Sequence, residues 1–305
     1  MAITESWHRE DMTDESKVSA TSRFTSSSGR VEPFLRWAGG KRWLARMMGG
    51  LLPSSFKTYF EPFLGSGAIF FSLQPGGARL SDSNQNLIKA YELVRDSPGA
   101  LITRLEGFSY TPKEYYRVRS STPGAIVDQS ARFLYLNRTC WNGLYRVDRT
   151  GEFNVPYGRR GAFHERDASR IRAASEVLRT STLRCEDFEV ALSRVRPGDF
   201  AFVDPPYTVT HGENGFLLYN ERIFSWADQE RLASALEAVD RRGGFFLLTN
   251  ANHRSVRALY KSFANYSLRR NSILAANPKN RRVVTELLVA NYRMSLKDRG
   301  IRLAS

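Results

Sequence analysis

The chain has 305 residues, 42% of them hydrophobic, and a net charge of +14. This length and composition fit the core of one large domain, alone or with a smaller domain attached. No run approaches roughly 18 apolar residues, which argues against a membrane span, and the polar N-terminus lacks the apolar segment of a secretory signal. The charge favours a polyanionic partner, although a generally basic cytosolic protein would show it too.

The predicted elements begin after a polar tail. Residues 1–30 are rich in serine, threonine and charge, and we predict that they are disordered. From residue 58 onward, strand-like and helix-like segments alternate, which predicts an open, mostly parallel α/β sheet. Helices are predicted over 84–95 and after Ser225, a candidate N-cap with Asp228 in its first turn. The predicted strands cover residues 58–63, 78–82, 181–188, 199–204, 245–250 and 282–292.

Residues 97–165 interrupt this alternation, and we predict that they form an inserted second domain. The sheet domain would then comprise residues 31–96 and 166–297. Residues 131–172 contain nine arginines against four acidic residues, interleaved with aromatic side chains. Arginine forks that bind phosphates and bases, mixed with rings that stack, are typical of a nucleic-acid-binding surface.

The two cysteines, Cys140 and Cys185, lie in apolar segments and lack the spacing of a metal site. We therefore predict two buried free thiols in a reducing cytoplasm. No cluster of histidine, cysteine and carboxylate residues elsewhere in the sequence suggests a metal centre.

The segment FEPFLGSGA, residues 60–68, predicts a strand that ends in a glycine turn. Ligands of open α/β sheets bind at the carboxyl ends of the strands, and glycine lets the backbone approach a cofactor closely. Asp82 ends the next predicted strand, where an acidic residue can bind ribose hydroxyls. An ordinary turn would also explain the glycines taken alone. The lysine and serine or threonine of a P-loop are missing, which disfavours ATP chemistry.

The segment PFLRWAGGKRWL, residues 33–44, lies just upstream of that turn. Trp37, the flexible Gly-Gly pair and Lys41 would be able to close over a cofactor, whose carboxylate would meet the lysine charge. The alternative interpretation is the start of a helix with a buried tryptophan.

The apolar run FAFV, residues 200–203, ends in Asp204, Pro205, Pro206 and Tyr207. Two consecutive prolines stop a strand because neither has an N–H group to donate. Asp204 and the carbonyl of Pro205 can accept hydrogen bonds from the exocyclic amine of a flipped-out base, and Tyr207 can stack on its face. The alternative is a proline-rich turn with an aspartate cap.

These three motifs, in this order and spacing, resemble the DNA N6-adenine methyltransferases of the Dam type, the alpha group of the D12 class. The resemblance covers roughly residues 33–292, including the segment from 133 to 159 and RRVVTELL at 281–288. It implies a Rossmann-like seven-stranded methyltransferase sheet with an inserted, mainly helical DNA-recognition domain. It also implies S-adenosylmethionine as methyl donor, S-adenosylhomocysteine as product, and no metal.

The resemblance assigns the residues of the catalytic and cofactor sites by position. The catalytic group would be Asp204, Pro205, Pro206 and Tyr207. Trp37 and Lys41 would line the methionine end of the cofactor, Asp82 would bind its ribose, and Asp187 and Phe188 would flank its adenine. The full cofactor set would be Trp37, Lys41, Phe63, Gly65, Gly67, Asp82, Asp187, Phe188 and Asp204.

The resemblance also assigns residues that read DNA. Trp141 stands where the family places a tyrosine that wedges into the base stack, and it keeps an aromatic wedge. Arg146 is the candidate for a guanine contact, and Leu144 and Pro156 are candidates for a thymine methyl contact, within the palindrome GATC. The full DNA-contacting set would be Arg36, Arg138, Trp141, Asn142, Leu144, Arg146, Pro156 and Arg159.

The implied function is transfer of a methyl group to adenine N6 in double-stranded DNA. The enzymatic alternatives are cytosine N4, an RNA adenine or a protein glutamine amide, and the alternative outside enzymes is a DNA-binding protein without activity. We expect a protein of the cytoplasm and nucleoid of a bacterial, archaeal or phage-infected cell, with no membrane partner. We expect a monomer in solution, with one or several copies on DNA. The biological role would be that of an orphan enzyme, a restriction partner or a phage product.

Overall fold

A computed structural model describes residues 29–148, 150–159, 161–208, 224–271, 283–294 and 301–303. The predicted disordered tail lies outside the described residues except at its last two positions. Arg149 and Arg160, two of the arginines counted in the basic segment, and residues 281–282 of the C-terminal motif also lie outside them.

A single mixed sheet runs through the described part of the protein. Its strands in chain order are β1 (Tyr59–Glu61), β2 (Arg79–Asp82), β3 (Thr182–Cys185), β4 (Phe200–Val203), β5 (Phe245–Ala251), β6 (Ala264–Asn271), β7 (Val283–Ala290) and β8 (Ile301–Leu303). Their spatial order is β3-β2-β1-β4-β5-β7-β6-β8. The first five are parallel neighbours, and β7 runs antiparallel between β5 and β6. This confirms the predicted seven-stranded Rossmann-like sheet, to which β8 adds a short strand beside β6.

Helices cover both faces of this sheet. In chain order they are α1 (Arg42–Ala45), α2 (Ala68–Leu73), α3 (Gln85–Asp96), α4 (Pro98–Glu106), α5 (Pro112–Ser120), α6 (Ile126–Thr139), α7 (Glu165–Leu178), α8 (Phe188–Ser193), α9 (Trp226–Arg241) and α10 (Arg254–Leu259). Within the ranges given above, no helix is long and apolar enough to cross a membrane.

Strand β4 shows how the sequence builds two hydrophobic layers. All four of its residues are buried. Phe200 and Phe202 pack into one cluster, together with residues of α3, α6 and α7, while Ala201 and Val203 pack into the other, together with residues of α9. Successive side chains of a strand point to opposite faces, so an unbroken apolar run is what a central strand covered on both faces requires.

The helices of the predicted insert pack onto the sheet domain. Leu101 and Leu105 of α4 and Leu134 of α6 belong to the same hydrophobic cluster as Ile171 of α7. The insert is mainly helical as predicted, with α4, α5 and α6 followed by an irregular segment up to α7. Its exact boundaries at residues 97 and 165 stay a prediction.

Two details of the predicted elements are wrong. The strand predicted over 181–188 ends at Cys185, because Asp187 caps the N-terminus of α8 through a hydrogen bond from the N–H of Glu189. Cys185 is exposed rather than buried, whereas Cys140 is buried as predicted. The predicted helix after Ser225 is confirmed, with Ser225 and Asp228 forming a reciprocal capping box.

Candidate active site

Three neighbouring parallel strands bring the predicted motifs to one edge of the sheet. β1 lies between β2 and β4, and all three run in the same direction. The glycine turn follows β1, Asp82 ends β2, and Asp204 follows β4. The carboxyl ends of parallel strands are where open α/β sheets bind ligands, so these groups share one crevice.

The glycine turn lies directly beneath Trp37. Gly65 and Gly67 have φ angles of 46° and 61°, in the left-handed region that favours glycine. A Cβ atom at Gly65 would lie 2.7 Å from Cδ1 of Trp37, so only glycine allows this approach. The Trp37 ring also stacks on Tyr145 of the insert, with centroids 5.5 Å apart and planes 18° from parallel. Trp37 therefore connects the turn with the insert.

Asp82 holds the same turn from the other side. Its Oδ2 accepts a hydrogen bond from the N–H of Gly65 at 3.0 Å, and its Oδ1 accepts one from the N–H of Asn84 at 3.0 Å. Burial raises the pKa of this carboxyl, and the two backbone donors oppose that rise. The predicted ribose-binding residue is thus fixed in place by the backbone of both loops that follow β1 and β2.

Asp204 lies in a polar contact network. The Nζ of Lys41 is 2.7 Å from its Oδ1, and the hydroxyl of Thr249 donates to the same oxygen at 2.6 Å. Lys41 also donates to the carbonyl of Gly39 at 3.0 Å, and its side chain is only 5% exposed. Burial raises the pKa of Asp204, Lys41 and Thr249 oppose the rise, and Glu286 adds to it. The sequence predicted Lys41 and Asp204 for one site but not their ion pair.

Tyr207 is oriented at two points. Its hydroxyl donates to Oε2 of Glu286 at 3.1 Å, and the Nζ of Lys41 lies 4.8 Å from its ring centroid. Burial, and then the neighbouring carboxylates Glu286 and Asp204, hold the pKa of Tyr207 well above its ordinary value. Lys41 thus contacts both predicted catalytic side chains that flank the two prolines.

Glu61 is a buried carboxyl of this site that the motif reading missed. It ends β1, is 3% exposed, and its Oε2 accepts hydrogen bonds from the Tyr59 hydroxyl at 2.7 Å and the N–H of Phe70 at 3.2 Å. Burial raises its pKa to about 8 from the ordinary 4.5, and the charge of Asp204 adds to the rise. The signal in the sequence was a carboxyl within the predicted strand FEPF.

Glu61→Gln should flatten the dependence of stability on pH. Between the ordinary pKa of 4.5 and the folded value of about 8, the native carboxyl keeps a proton that the unfolded chain has lost. The free energy of unfolding of the parent should therefore fall as pH rises through this window, by up to about 1.4 kcal/mol per pH unit from this group. Glutamine cannot ionise, so the variant lacks this contribution. Urea denaturation at several pH values from 5 to 8 compares them, and parallel curves would contradict the assignment.

Two aromatic rings lie between the ends of β1 and β3. Phe63 and Phe188 stack with centroids 5.3 Å apart and planes 24° from parallel. The guanidinium of Arg231 lies 4.9 Å from the Phe188 centroid and pairs with Asp187 at 2.9 Å. The structure thus brings Phe63, Asp187 and Phe188 together, and their contact with an adenine ring stays a prediction.

Most predicted DNA-contacting residues lie on the irregular part of the insert. Trp141 is 57% exposed, and Asn142 follows it with a φ of 54°. The carbonyl of Pro156 accepts the N–H of Trp141 at 2.9 Å, which joins the two loops. Arg36 packs against Gly143, where a Cβ atom would lie 2.8 Å from its Cδ. The buried Asn137 of α6 binds both the N–H and the carbonyl of Arg36, at 3.0 and 2.7 Å.

Arg146 lies beside an antiparallel bridge between Val147 and Phe153. Its Nε donates to Oδ1 of Asn154 at 2.8 Å, and its carbonyl accepts the N–H of Asn154 at 3.2 Å. Leu144 just before it is half-buried. Arg159 is exposed, with a φ of 53°. These positions leave Arg146, Pro156 and Arg159 on the surface of the insert.

Arg138 is partly buried, with a side chain that is 28% exposed and bound to other parts of the protein. It pairs with Asp167 of α7 at 2.7 Å and donates to the carbonyl of Ala162 at 2.6 Å. These contacts tie α6 to the segment before α7 and give Arg138 a structural role. Its predicted contact with DNA stays a prediction.

The sheet order, the glycine turn and the acidic end of β2 define a Rossmann-like methyltransferase. The family model for the D12 class N6 adenine-specific DNA methyltransferases matches residues 37–272, and the chain belongs to this family. It is 36% identical over 272 residues to the Type II methyltransferase M1.LlaDCHI of Lactococcus lactis subsp. cremoris, covering 86% of this chain and 96% of that relative. It is 30% identical over 269 residues to the DNA adenine methylase of Serratia marcescens, covering 85% and 98%. The predicted family is confirmed.

Proposed function

We propose that the protein transfers a methyl group from S-adenosylmethionine to N6 of an adenine in duplex DNA, within the sequence GATC. The observation that carries this proposal is the arrangement around Asp204. The Nζ of Lys41 lies closest to Oδ1 of Asp204, and the hydroxyl of Thr249 donates to the same oxygen. We assign the second oxygen, Oδ2, to the N–H of the target amine, with the Pro205 carbonyl as the other acceptor.

The side chains present fit S-adenosylmethionine by their chemistry. Asp82 already accepts two backbone N–H groups, and each of its oxygens has a further lone pair for a ribose hydroxyl. Lys41 supplies a buried ammonium for the carboxylate of the cofactor, and the rings of Phe63 and Phe188 supply an apolar surface for its base. When bound, the cofactor supplies an electrophilic methyl group on its sulfonium.

The chemistry of the chain's own residues is positioning. Asp204 and the Pro205 carbonyl hold the two hydrogens of the N6 amine, so that the nitrogen lone pair faces the methyl group. The bound cofactor would supply the methyl group and leave as its uncharged thioether, S-adenosylhomocysteine. The amine would pass to Asp204 the proton that it shares with that carboxylate, as positive charge develops on the nitrogen. Burial raises the pKa of Asp204, and the charge of Lys41 and the hydrogen bond of Thr249 oppose that rise in favour of the ionised form, which accepts hydrogen bonds. Tyr207 supplies the ring on which the flipped base stacks.

Asp82→Ala should weaken binding of S-adenosylmethionine by about 1–3 kcal/mol, the scale of a lost charge-assisted hydrogen bond. The variant loses the ribose acceptor and also the acceptor that holds the N–H of Gly65. Asp82→Asn keeps one oxygen for the turn and should lose less. Isothermal titration calorimetry compares the three proteins, and an unchanged affinity in the alanine variant would remove Asp82 from the site.

The GATC assignment rests on Arg146. Because Nε of Arg146 is bound by Asn154, the two Nη groups are the ones that we assign to O6 and N7 of a guanine. Leu144 and Pro156 would contact a thymine methyl, and the exposed Trp141 would wedge into the base stack. We expect the protein to act on DNA in the cytoplasm, as a monomer in solution.

Arg146→Ala should relax discrimination at the guanine position, because a bidentate contact to guanine contributes about 1–3 kcal/mol. Arg159→Ala is the matched control, since loss of a phosphate contact should weaken methylation of all sequences alike and flatten its salt dependence. Long-read sequencing of DNA from cells that express each variant measures the methylated fraction at each site. It shows whether the loss is confined to the guanine position or is the same at all sequences. A parent that marks no GATC adenines would refute the sequence assignment, and an equal loss at all near-cognate sites in Arg146→Ala would refute the guanine contact.

A further inference from the structure

Two buried polar side chains lie behind the catalytic residues, on strands to which the sequence analysis assigned no site residue. Thr249 is on β5 and Glu286 is on β7, and they are 0% and 3% exposed. In the antiparallel register of these strands, Glu286 lies opposite Ala251 and Thr249 lies opposite Leu288. The two residues therefore lie two rungs apart in the centre of the sheet, and their side chains point to the same face.

These two residues link the catalytic pair to the sheet. The Thr249 hydroxyl donates to Oδ1 of Asp204 at 2.6 Å, and Lys41, which pairs with the same oxygen, lies 4.8 Å from the ring centroid of Tyr207. The Tyr207 hydroxyl donates to Oε2 of Glu286 at 3.1 Å. Lys41 and Thr249 thus hold Asp204, while Lys41 and Glu286 contact Tyr207.

A carboxyl at position 286 is not what strand packing alone would select. The neighbouring residues of β7, Leu287, Leu288, Val289 and Ala290, are all fully buried and apolar. Burial of a carboxyl removes it from water at a free-energy cost that only its hydrogen bonds offset. An apolar residue of similar size would fill the same space without that cost.

We propose that Glu286 is a positioning residue, which fixes the ring of Tyr207 in the orientation that stacks on the flipped target base. The proposal rests on the proposed function. Tyr207 follows two prolines at the end of β4, and its ring can turn about two side-chain bonds. A hydrogen bond from its hydroxyl to a side chain on a central strand removes that freedom, and misplacement of a reacting group by about 1 Å can cost roughly a hundredfold in rate.

The test is a double-mutant cycle on the full chain. Glu286→Leu removes the acceptor, fills the space and relieves the burial of a carboxyl, so the variant should fold. Tyr207→Phe keeps the ring and removes the donor. Single-turnover methylation of a GATC duplex should slow by about tenfold to a hundredfold in either variant, with unchanged affinity for S-adenosylmethionine. The double variant should be no slower than the single ones, because both changes break one contact.

Two further variants separate positioning from folding. Glu286→Gln keeps an acceptor oxygen and should recover most of the rate. Leu288→Ala removes buried volume from the same face of β7. Any loss of rate that it causes should be the same in the parent and in the Tyr207→Phe background. A duplex with 2-aminopurine at the target position reports the stack directly. Its fluorescence should be less quenched in Glu286→Leu than in the parent, because the ring no longer holds the plane of the base.

Each outcome decides one question. If Glu286→Leu slows the reaction equally in the parent and in the Tyr207→Phe background, Glu286 acts through the strand and the inference is wrong. If Glu286→Gln is as slow as Glu286→Leu, the acceptor oxygen is not what matters and the inference is also wrong. If the parent protein methylates no adenine in duplex DNA, the proposed function fails instead, before the cycle is measured.

Discussion

Asp204→Ala should lower the rate of methyl transfer at saturating substrate by at least about a hundredfold to a thousandfold, the cost of losing one preorganised group at a developing charge. The variant loses the acceptor that holds the target amine in line with the methyl group. Single-turnover methylation with a labelled cofactor measures the rate.

The alanine variant has a second effect, because Asp204 is the partner of a buried lysine. Lys41 is 5% exposed and 2.7 Å from Asp204, and removal of one partner of a buried ion pair costs about 3–5 kcal/mol of stability. Asp204→Asn is therefore the cleaner variant. Its oxygen can still accept from Lys41 and Thr249, while its amide nitrogen would face the target amine as donor against donor. We expect Asp204→Asn to have a free energy of unfolding close to that of the parent and to be inactive. Near-parental turnover in this variant would rule out the mechanism.

Gly65→Ala should lower both stability and cofactor affinity. The backbone of Gly65 has a φ of 46°, and a Cβ atom there would lie 2.7 Å from Cδ1 of Trp37, so the ring must move. We expect a loss of about 1–2 kcal/mol from the left-handed backbone alone, a further loss from the displaced ring, and at least about tenfold weaker cofactor binding. Urea denaturation and calorimetry measure the two effects.

Gly77→Ala is the matched control for this variant. Gly77 also has a positive φ, 69°, but a Cβ atom there would meet nothing within 4 Å. It should show the backbone cost alone, with parental cofactor affinity. Equal stability losses in the two variants, or parental cofactor affinity in Gly65→Ala, would contradict the placement of Trp37 over the glycine turn.

The strands that carry the motifs could be predicted because their signals are local. β4 is an unbroken apolar run that stops at two prolines, and β1 runs into glycines with left-handed φ angles. The capping box of Ser225 and Asp228 is likewise contained within one turn of chain. Such features depend on near neighbours, which the sequence shows directly.

Two features of the sheet were not predicted from the sequence, and only the second depends on distant partners. β6 alternates Tyr266 and Leu268, which are buried, with polar residues, so a signal for a half-covered strand was present and overlooked. Glu286 could have been noticed as a charge within the apolar run VVTELLVA. Its bond to Tyr207, however, joins residues far apart in the chain and appears only when β7 lies beside β5.

We propose above that this protein methylates adenine N6 in duplex DNA. The direct measurement is to incubate the purified full chain with labelled S-adenosylmethionine and a duplex that contains GATC, digest the duplex to nucleosides, and identify the labelled product by mass spectrometry. A matched duplex whose GATC adenines already carry N6-methyl groups serves as control. We expect N6-methyldeoxyadenosine from the first duplex and no further labelled product from the second. Label in N4-methyldeoxycytidine, or no transfer to any DNA, would contradict it.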